Sequence, residues 1–336
     1  MVTLKHVADL AGVSTSTVSR VVSGKNVVAK ELREVVEKAI KQTGYTPNIN
    51  ARALANKNSG AIGLVTPDLS LAFFGTLAAG VIDAADDLGV LVDICNAKGV
   101  TKDKLNSVNA LKNRGFHNII LDELHCDERK IIKLCKEIPG LVLINRFIPQ
   151  IASRCVCIDN AMGGFAAASY LIENGHKKIA FITSDSDIPD PLERINGAKQ
   201  ALNQAGLHTE NCIVIKSPPT IEGGRLAVHE LLAQSKGFTA ILAYNDNMAT
   251  GAMNELQDTG YKVPEHISVV GFDDLAISTI CRPSLTTMHY PIREMAAYAV
   301  KLSLELTAKD TKQVNKTHRF VPTLVERKSV TNVISE

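Results

Sequence analysis

Apolar residues recur at helical spacing three times in the first 41 positions of the chain. Leu4, Val7, Ala8 and Ala11 make the first apolar face. Gly12 interrupts that helix and can take the positive φ of a tight turn. Ser14 then offers a side-chain oxygen to cap a second helix, whose inner side is Val18, Val21 and Val22. A third helix over 31–41 carries Leu32, Val35, Val36, Ala39 and Ile40 and closes a three-helix core; Gly44 ends it. Tyr45-Thr46-Pro47 is an extended break, because the residue before a proline avoids the α region. Residues 48–56 favour helix by their Ala and Leu content, but a helix this short is marginal alone. Residues 57–60 read as a linker.

From Ala61 the pattern changes. Short β-branched runs at 61–66, 90–95, 118–121, 141–144 and 155–158 alternate with helical stretches near 74–88, 102–114, 128–137 and 161–174. A second series has strands near 179–183, 212–215, 240–244 and 268–272, with helices near 191–205, 222–234 and 246–258. A last helix at about 292–307 has Met295, Ala296, Ala299, Val300 and Leu302 on its apolar side. Strands alternating with helices imply parallel sheets covered by helices. The predicted fold is an α/β body of two doubly wound lobes carrying an all-α helix-turn-helix head. Two such lobes leave a cleft at the carboxyl ends of their strands, where ligands bind.

Charge sharpens the division. The net charge is +2, but residues 1–60 hold nine Lys/Arg against four acids, a net +5 that leaves −3 for the rest. A basic head on a mildly acidic body suits a polyanion at the head only. The outward face of the second helix fits this: Thr15, Ser16 and Ser19 are short and polar, and Arg20 is long enough to grip a guanine edge in the major groove. Seven scattered cysteines without a C-x-x-C spacing read as reduced thiols, and no ligand set for a metal is expected. The start of the chain lacks the apolar stretch of a signal peptide, and no run has the length to span a membrane, so a cytoplasmic protein is expected. There is no nucleophile elbow, phosphate loop or dinucleotide fingerprint. A binding module is favoured over an α/β enzyme acting on sugars or nucleotides, which remains the alternative from another class.

Several motifs resemble the lactose/galactose-repressor (LacI/GalR) family of bacterial transcription regulators along essentially the whole chain. In the head they are Val7-Ala8, Ala11-Gly12-Val13-Ser14 and Thr17-Val18-Ser19-Arg20-Val21, and in the hinge Pro47-Asn48 and Ala51-Arg52-Ala53-Leu54-Ala55. In the body they include Asn245-Asp246-Asn247-Met248-Ala249, Gly271-Phe272-Asp273-Asp274 and Leu324-Val325-Glu326-Arg327. Phe73-Phe74-Gly75, Leu143-Ile144-Asn145-Arg146 and His289-Tyr290-Pro291-Ile292 are most similar to the galactose repressors and isorepressors. The head departs from these at Thr15 and Ser16, and His6 stands where the family often has Asp.

The resemblance implies a head at 1–46, a hinge helix and linker at 47–60, and a sugar-binding and dimerisation body at 61–336. The chain would cross between lobes near Asp159, Tyr290 and Phe320. That gives one lobe of about 61–159 plus 291–319 and another of about 160–290 plus 320–336. It implies Thr15, Ser16 and Arg20 as base readers, in agreement with their geometry. Lys5, Ser14, Thr17, Ser19 and Asn26 would touch phosphate or cap helices. Ala51, Arg52 and Leu54 would form the hinge, with Leu54 a minor-groove wedge or a packing residue between two hinge helices. The effector site would use Phe73, Phe74, Asn145, Arg194, Asn245 and Asp273, with Asp68, Arg146 and Asp159 as further candidates. Each has a plainer reading. Arg194 could pair with Glu193 or Asp190, Asp273 could cap a helix, Asn245 could serve a turn, and both Phe could be core. The expected protein is a homodimeric repressor that binds double-stranded operator DNA, hence nucleoid-associated. It needs no cofactor, is without the leucine heptad tail of a tetramer, and is released by a small sugar, D-galactose. Response to another sugar, or a ligand that strengthens DNA binding, are the alternatives within the family.

Overall fold

The computed structural model describes residues 2–22, 28–45, 60–209, 212–234, 237–308 and 318–333. The chain divides into two compact units, residues 1–60 and residues 61–336.

The first unit holds α1 (Leu4–Ala11), α2 (Thr15–Val22) and α3 (Lys30–Thr43). Val7, Ala8, Val18, Val21, Val36 and Ala39 are its buried core. Gly12 ends α1 at φ 65°, a conformation without penalty only for glycine. Ser14 Oγ accepts the Thr17 N–H at 3.2 Å and so caps α2. At the start of α1 the Thr3 N–H donates to His6 Nδ1 at 3.1 Å, so the imidazole performs the acceptor role that a carboxylate performs in a capping box. Two expected core residues are corrected: Leu32 and Val35 are exposed, because the face of α3 turned inward is centred on Val36 and Ala39.

The second unit contains two six-stranded sheets of matching order. In lobe 1 the order is β2-β1-β3-β4-β5-β11, all parallel, from β1 (Ile62–Thr66), β2 (Val92–Asn96), β3 (Asn118–Asp122), β4 (Gly140–Ile144), β5 (Cys155–Ile158) and β11 (His318–Phe320). Lobe 2 runs β7-β6-β8-β9-β10-β12, from β6 (Ile179–Ser184), β7 (Val214–Ser217), β8 (Ala240–Ala243), β9 (Ser268–Asp273), β10 (Thr286–His289) and β12 (Thr323–Val325). Only β12 is antiparallel there. The central strands β1, β3, β4, β6 and β9 are buried at every position, which is why their sequences are mainly apolar or β-branched and do not alternate.

The helices of lobe 1 are α4 (Ala72–Asp86), α5 (Thr101–Asn113), α6 (Glu128–Glu137) and α12 (Ile292–Glu305); those of lobe 2 are α7 (Asn160–Glu173), α8 (Pro189–Gln204), α9 (Ile221–Ala233), α10 (Asp246–Asp258) and the short α11 (Ile277–Ile280). The chain passes between lobes after β5, after β10 and after β11. Edge strands β2 and β7 begin two residues later than their apolar runs. β10, β11, β12 and α11 carry no apolar periodicity in the sequence. All seven cysteines are free thiols.

Candidate functional site

The outer face of α2 presents Thr15, Ser16, Ser19 and Arg20 to solvent, with Lys5 exposed on α1. Ser14 Oγ lies 2.7 Å from Ser16 Oγ and 2.9 Å from Thr17 Oγ1. Three of the expected DNA-contacting hydroxyls thus form one hydrogen-bonded cluster at the start of α2, beside the backbone N–H groups of the helix N-terminus. Asn26, Ala51, Arg52 and Leu54 lie outside the described residues.

The body's cleft is a cavity of about 290 Å³ between the carboxyl ends of the two sheets. Lobe 1 contributes Pro67 after β1, Asp122 at the end of β3, Asn145 after β4, and Phe73 and Phe74 from the first turn of α4. Lobe 2 contributes Ser184 at the end of β6, Tyr244 and Asn245 after β8, Asp273 at the end of β9, and Asp190 and Arg194 from the first turns of α8. Tyr290, at a crossing between lobes, also lines the cavity.

Two walls correspond by position. Asn145 follows the fourth strand of lobe 1 and Asp273 ends the fourth strand of lobe 2; both have positive φ, 65° and 108°. Side chains other than glycine seldom adopt this region, with Asn and Asp the commonest exceptions. The turn aims each side chain into the cleft instead of along its sheet.

Arg194 is buried. Its Nε donates to Asn160 Oδ1 at 2.9 Å and its Nη1 to the Tyr244 carbonyl. The guanidinium lies 3.6 Å from the centroid of the Phe272 ring and 4.5 Å from that of Tyr244, with Asp273 Oδ1 at 3.9 Å. These contacts fix a planar donor against the cavity wall. Burial pushes the Asp273 carboxyl up to about 7, even with Arg194 pulling it down. Burial likewise raises Asp122 to about 7, opposed by Lys104 and by the Asn145 hydrogen bond, and it raises Asp190. Phe73 packs edge-on against Tyr290 at 5.0 Å and against Phe74 at 5.2 Å, giving the cleft an apolar aromatic side.

The cleft therefore brings together Phe73, Phe74, Asn145, Arg194, Asn245 and Asp273. Asn245 is partly committed: its Oδ1 accepts the Met248 N–H at 2.9 Å as the cap of α10, and its Nδ2 reaches the Pro219 carbonyl at 3.3 Å. Three further candidates do not line the cavity. Asp68 accepts from the Ser70 N–H and hydroxyl, at 3.0 and 2.8 Å, and holds the turn into α4. Arg146 donates to the Cys126 carbonyl at 2.7 Å. Asp159 caps α7 through the Met162 N–H at 3.0 Å and faces Arg319 at 3.6 Å. Asp274, next to the cleft residue Asp273, turns away to Arg327 at 2.6 Å and His289 at 3.0 Å. Missing from the sequence expectation as site residues were Lys104, Asp122, Asp190, Tyr244 and Tyr290. Asp122 and Tyr244 share one signal, a polar or amphipathic residue directly after an apolar strand. Among the described residues no cluster of side chains has the makings of a metal site, and no helix is long and apolar enough to cross a membrane.

Residues 3–48 match the family of bacterial regulatory proteins called lacI, and residues 168–330 match a periplasmic binding protein-like domain. Over 330 residues the chain is 39% identical to GalS, an HTH-type transcriptional regulator of Salmonella typhimurium, covering 98% of this chain and 97% of that one. The chain belongs to the lacI family. Among solved structures, the lac repressor dimer bound to operator and the anti-inducer ONPF aligns with a TM-score of 0.85 at 27% identity, covering 98% of this chain and 99% of that one. The complex of the transcriptional regulator CelR with cellobiose aligns at 0.71 and 29% identity, covering 98% of this chain and all of that one. This lacI member is a DNA-binding transcriptional regulator that responds to a small molecule, and the enzyme alternative falls with that membership.

Proposed function

We propose that this regulator represses by binding operator DNA as a homodimer and is released when D-galactose occupies the cleft between its lobes. The observation that carries the sugar reading is the chemistry of the cavity. Planar polar groups, Asn145 and Arg194, and carboxylates, Asp122 and Asp273, line one space with the Phe73–Tyr290 aromatic pair. Such a wall satisfies a dense set of hydroxyls and gives an apolar face to ring C–H groups. It rejects molecules that leave its buried polar groups unpaired. A cavity of about 290 Å³ sits at the small end of ligand pockets and suits one sugar ring. Similarity to the galactose repressors and isorepressors supports D-galactose among hexoses.

Thr15, Ser16 and Arg20 read bases in this account, and Lys5, Ser14, Thr17 and Ser19 set register on the phosphates. Release by sugar in place of tightening follows the galactose-repressor resemblance. A hundredfold loss of operator affinity needs a coupling of only about 2.7 kcal/mol between the two sites. The test is a titration of labelled DNA from the regulator's own promoter with and without D-galactose. Weakening by the sugar supports the reading. Tightening would make the sugar a co-repressor, and no change would remove galactose as effector.

A further inference from the structure

One buried polar atom in the cleft has no partner. Asp122 is fully buried at the end of β3 and lines the cavity. Its Oδ2 accepts from Asn145 Nδ2 at 2.8 Å, while Oδ1 is sealed from solvent without a hydrogen bond. A buried carboxylate oxygen left in this state costs free energy, so an absent donor is implied. The neighbouring cation does not fill the role: Lys104, on α5, is 3.1 Å from Glu123 Oε2. Glu123 is itself held by the N–H groups of His125 and Cys126 and by the Thr101 hydroxyl. Asn145 carries the contact onward, since its Oδ1 accepts from the Tyr290 hydroxyl at 2.9 Å. Tyr290 stands where the chain passes from one lobe to the other.

Resting on the hexose reading above, we propose that Asp122 is a specificity-determining residue of the cleft. A small turn of the carboxyl brings Oδ1 to the cavity surface, where it accepts a hydrogen bond from one sugar hydroxyl, and the Asn145 bridge links that contact to Tyr290 at the crossing. The donor favours the ionised carboxylate, so its pKa falls in the complex and binding releases a proton. The charged groups facing Asp122 are Lys104, Glu123 and, from lobe 2, Asp190; Tyr244 and Tyr290 face the same space. With the free carboxyl at about 7, its ionised fraction rises about tenfold from pH 6 to pH 8, and this group contributes that factor to affinity. Asp190 and Asp273 titrate in the same cleft, so the readout is the difference between the wild type and a variant.

The experiment is calorimetric titration of wild type and Asp122→Asn with D-galactose and its 2-, 3-, 4- and 6-deoxy forms at pH 6, 7 and 8. Asn at 122 keeps the acceptor toward Asn145 but turns an amide N–H₂ toward the cavity. At least a tenfold loss for D-galactose at pH 8 is expected, with a pH slope flatter than that of the wild type. One deoxy sugar should be penalised in the wild type and not further in the variant. Equal affinity and equal slopes, or the same penalty for every deoxy sugar in both proteins, overturn the proposal. Folding is checked by melting: the variant should gain on the wild type from pH 5 to pH 8, because only the wild type acquires a buried charge at position 122 over that interval. A loss over that interval also overturns it. If the wild type ignores D-galactose, the galactose reading fails. The same pair of proteins is then titrated with D-glucose, L-arabinose and D-ribose. A sugar bound at least tenfold more weakly by the variant upholds the role of Asp122, while equal binding, or no binding of any, overturns it.

Discussion

Replacing Gly164 with alanine should disable the effector site from beneath. Helices α7 and α8 cross backbone to backbone at a pair of glycines. A Cβ on Gly164 would lie 1.9 Å from the Arg194 carbonyl oxygen, and a Cβ on Gly197 would lie 1.9 Å from that of Ala161. Carbon–oxygen contacts settle near 3.3–3.6 Å, so the helices must part by roughly 1.5 Å. No flexible side-chain end is available to give way. Overpacking of this kind costs about 1–3 kcal/mol, with the upper end expected for a rigid backbone contact. The better helix propensity of alanine returns at most about 1 kcal/mol. A net loss of about 2 kcal/mol corresponds to roughly 3–4 °C in melting temperature for a domain of this size. The same displacement moves Arg194 away from Phe272 and from the Asn160 bond at 2.9 Å. Losing one charge-assisted hydrogen bond, about 1.5–3 kcal/mol, weakens sugar binding at least tenfold. Gly75→Ala is the control, since its Cβ meets nothing nearer than the Leu69 carbonyl at 3.6 Å. Calorimetry with D-galactose and thermal melting on both variants provide the assay. Gly164→Ala that melts and binds like wild type would refute the claim that this crossing positions Arg194.

Two further outcomes are expected. Arg20→Ala should relax sequence choice at one operator position at a cost of roughly 1–3 kcal/mol, measured by competition between operator variants; equal weakening on operator and random DNA would reduce Arg20 to a phosphate contact. Asp273→Ala should leave operator affinity near wild type and abolish release by sugar in an anisotropy titration, because its carboxylate lines the cleft in the body; full release at the wild-type sugar concentration would place it outside the site.

Much of this architecture is legible in the sequence because its physics is local. Helical spacing around Gly12, and apolar runs long enough for a buried strand, depend on neighbours a few residues away. The strands that escape reading are those whose polar atoms find distant partners. β10 reads Thr286-Thr287-Met288-His289, which suggests a loop. In the fold the Thr287 hydroxyl donates to the buried Asp246 at 2.5 Å, and Thr286 Oγ1 accepts the Arg327 N–H at 2.9 Å. A polar strand can run through a core when its hydroxyls are satisfied from other elements. The same limit divides the acids of the site. Asp273 and Asp274 are adjacent and chemically identical in sequence, and only the positive φ of the first and the Arg327 contact of the second separate cleft from scaffold.

Asp122 lies beyond sequence for the same reason: its orphaned oxygen exists only once Lys104 is seen to be taken by Glu123. That arrangement has a consequence for the lobes. Asn145 is bonded to Asp122 and to Tyr290, while Arg194 faces Asp273 and Asn160, so each wall is ordered by partners of its own lobe or of the crossing. Between the walls, Asp190 of lobe 2 acts on Asp122 of lobe 1 as a like charge and raises its pKa. Closing the empty cleft brings those carboxyls together in a medium of falling dielectric, which is unfavourable unless one takes up a proton. A hydroxyl-rich ligand supplies donors to both walls and removes that opposition. If the acids select the sugar as proposed, the same like-charge opposition works against closing the cleft without it.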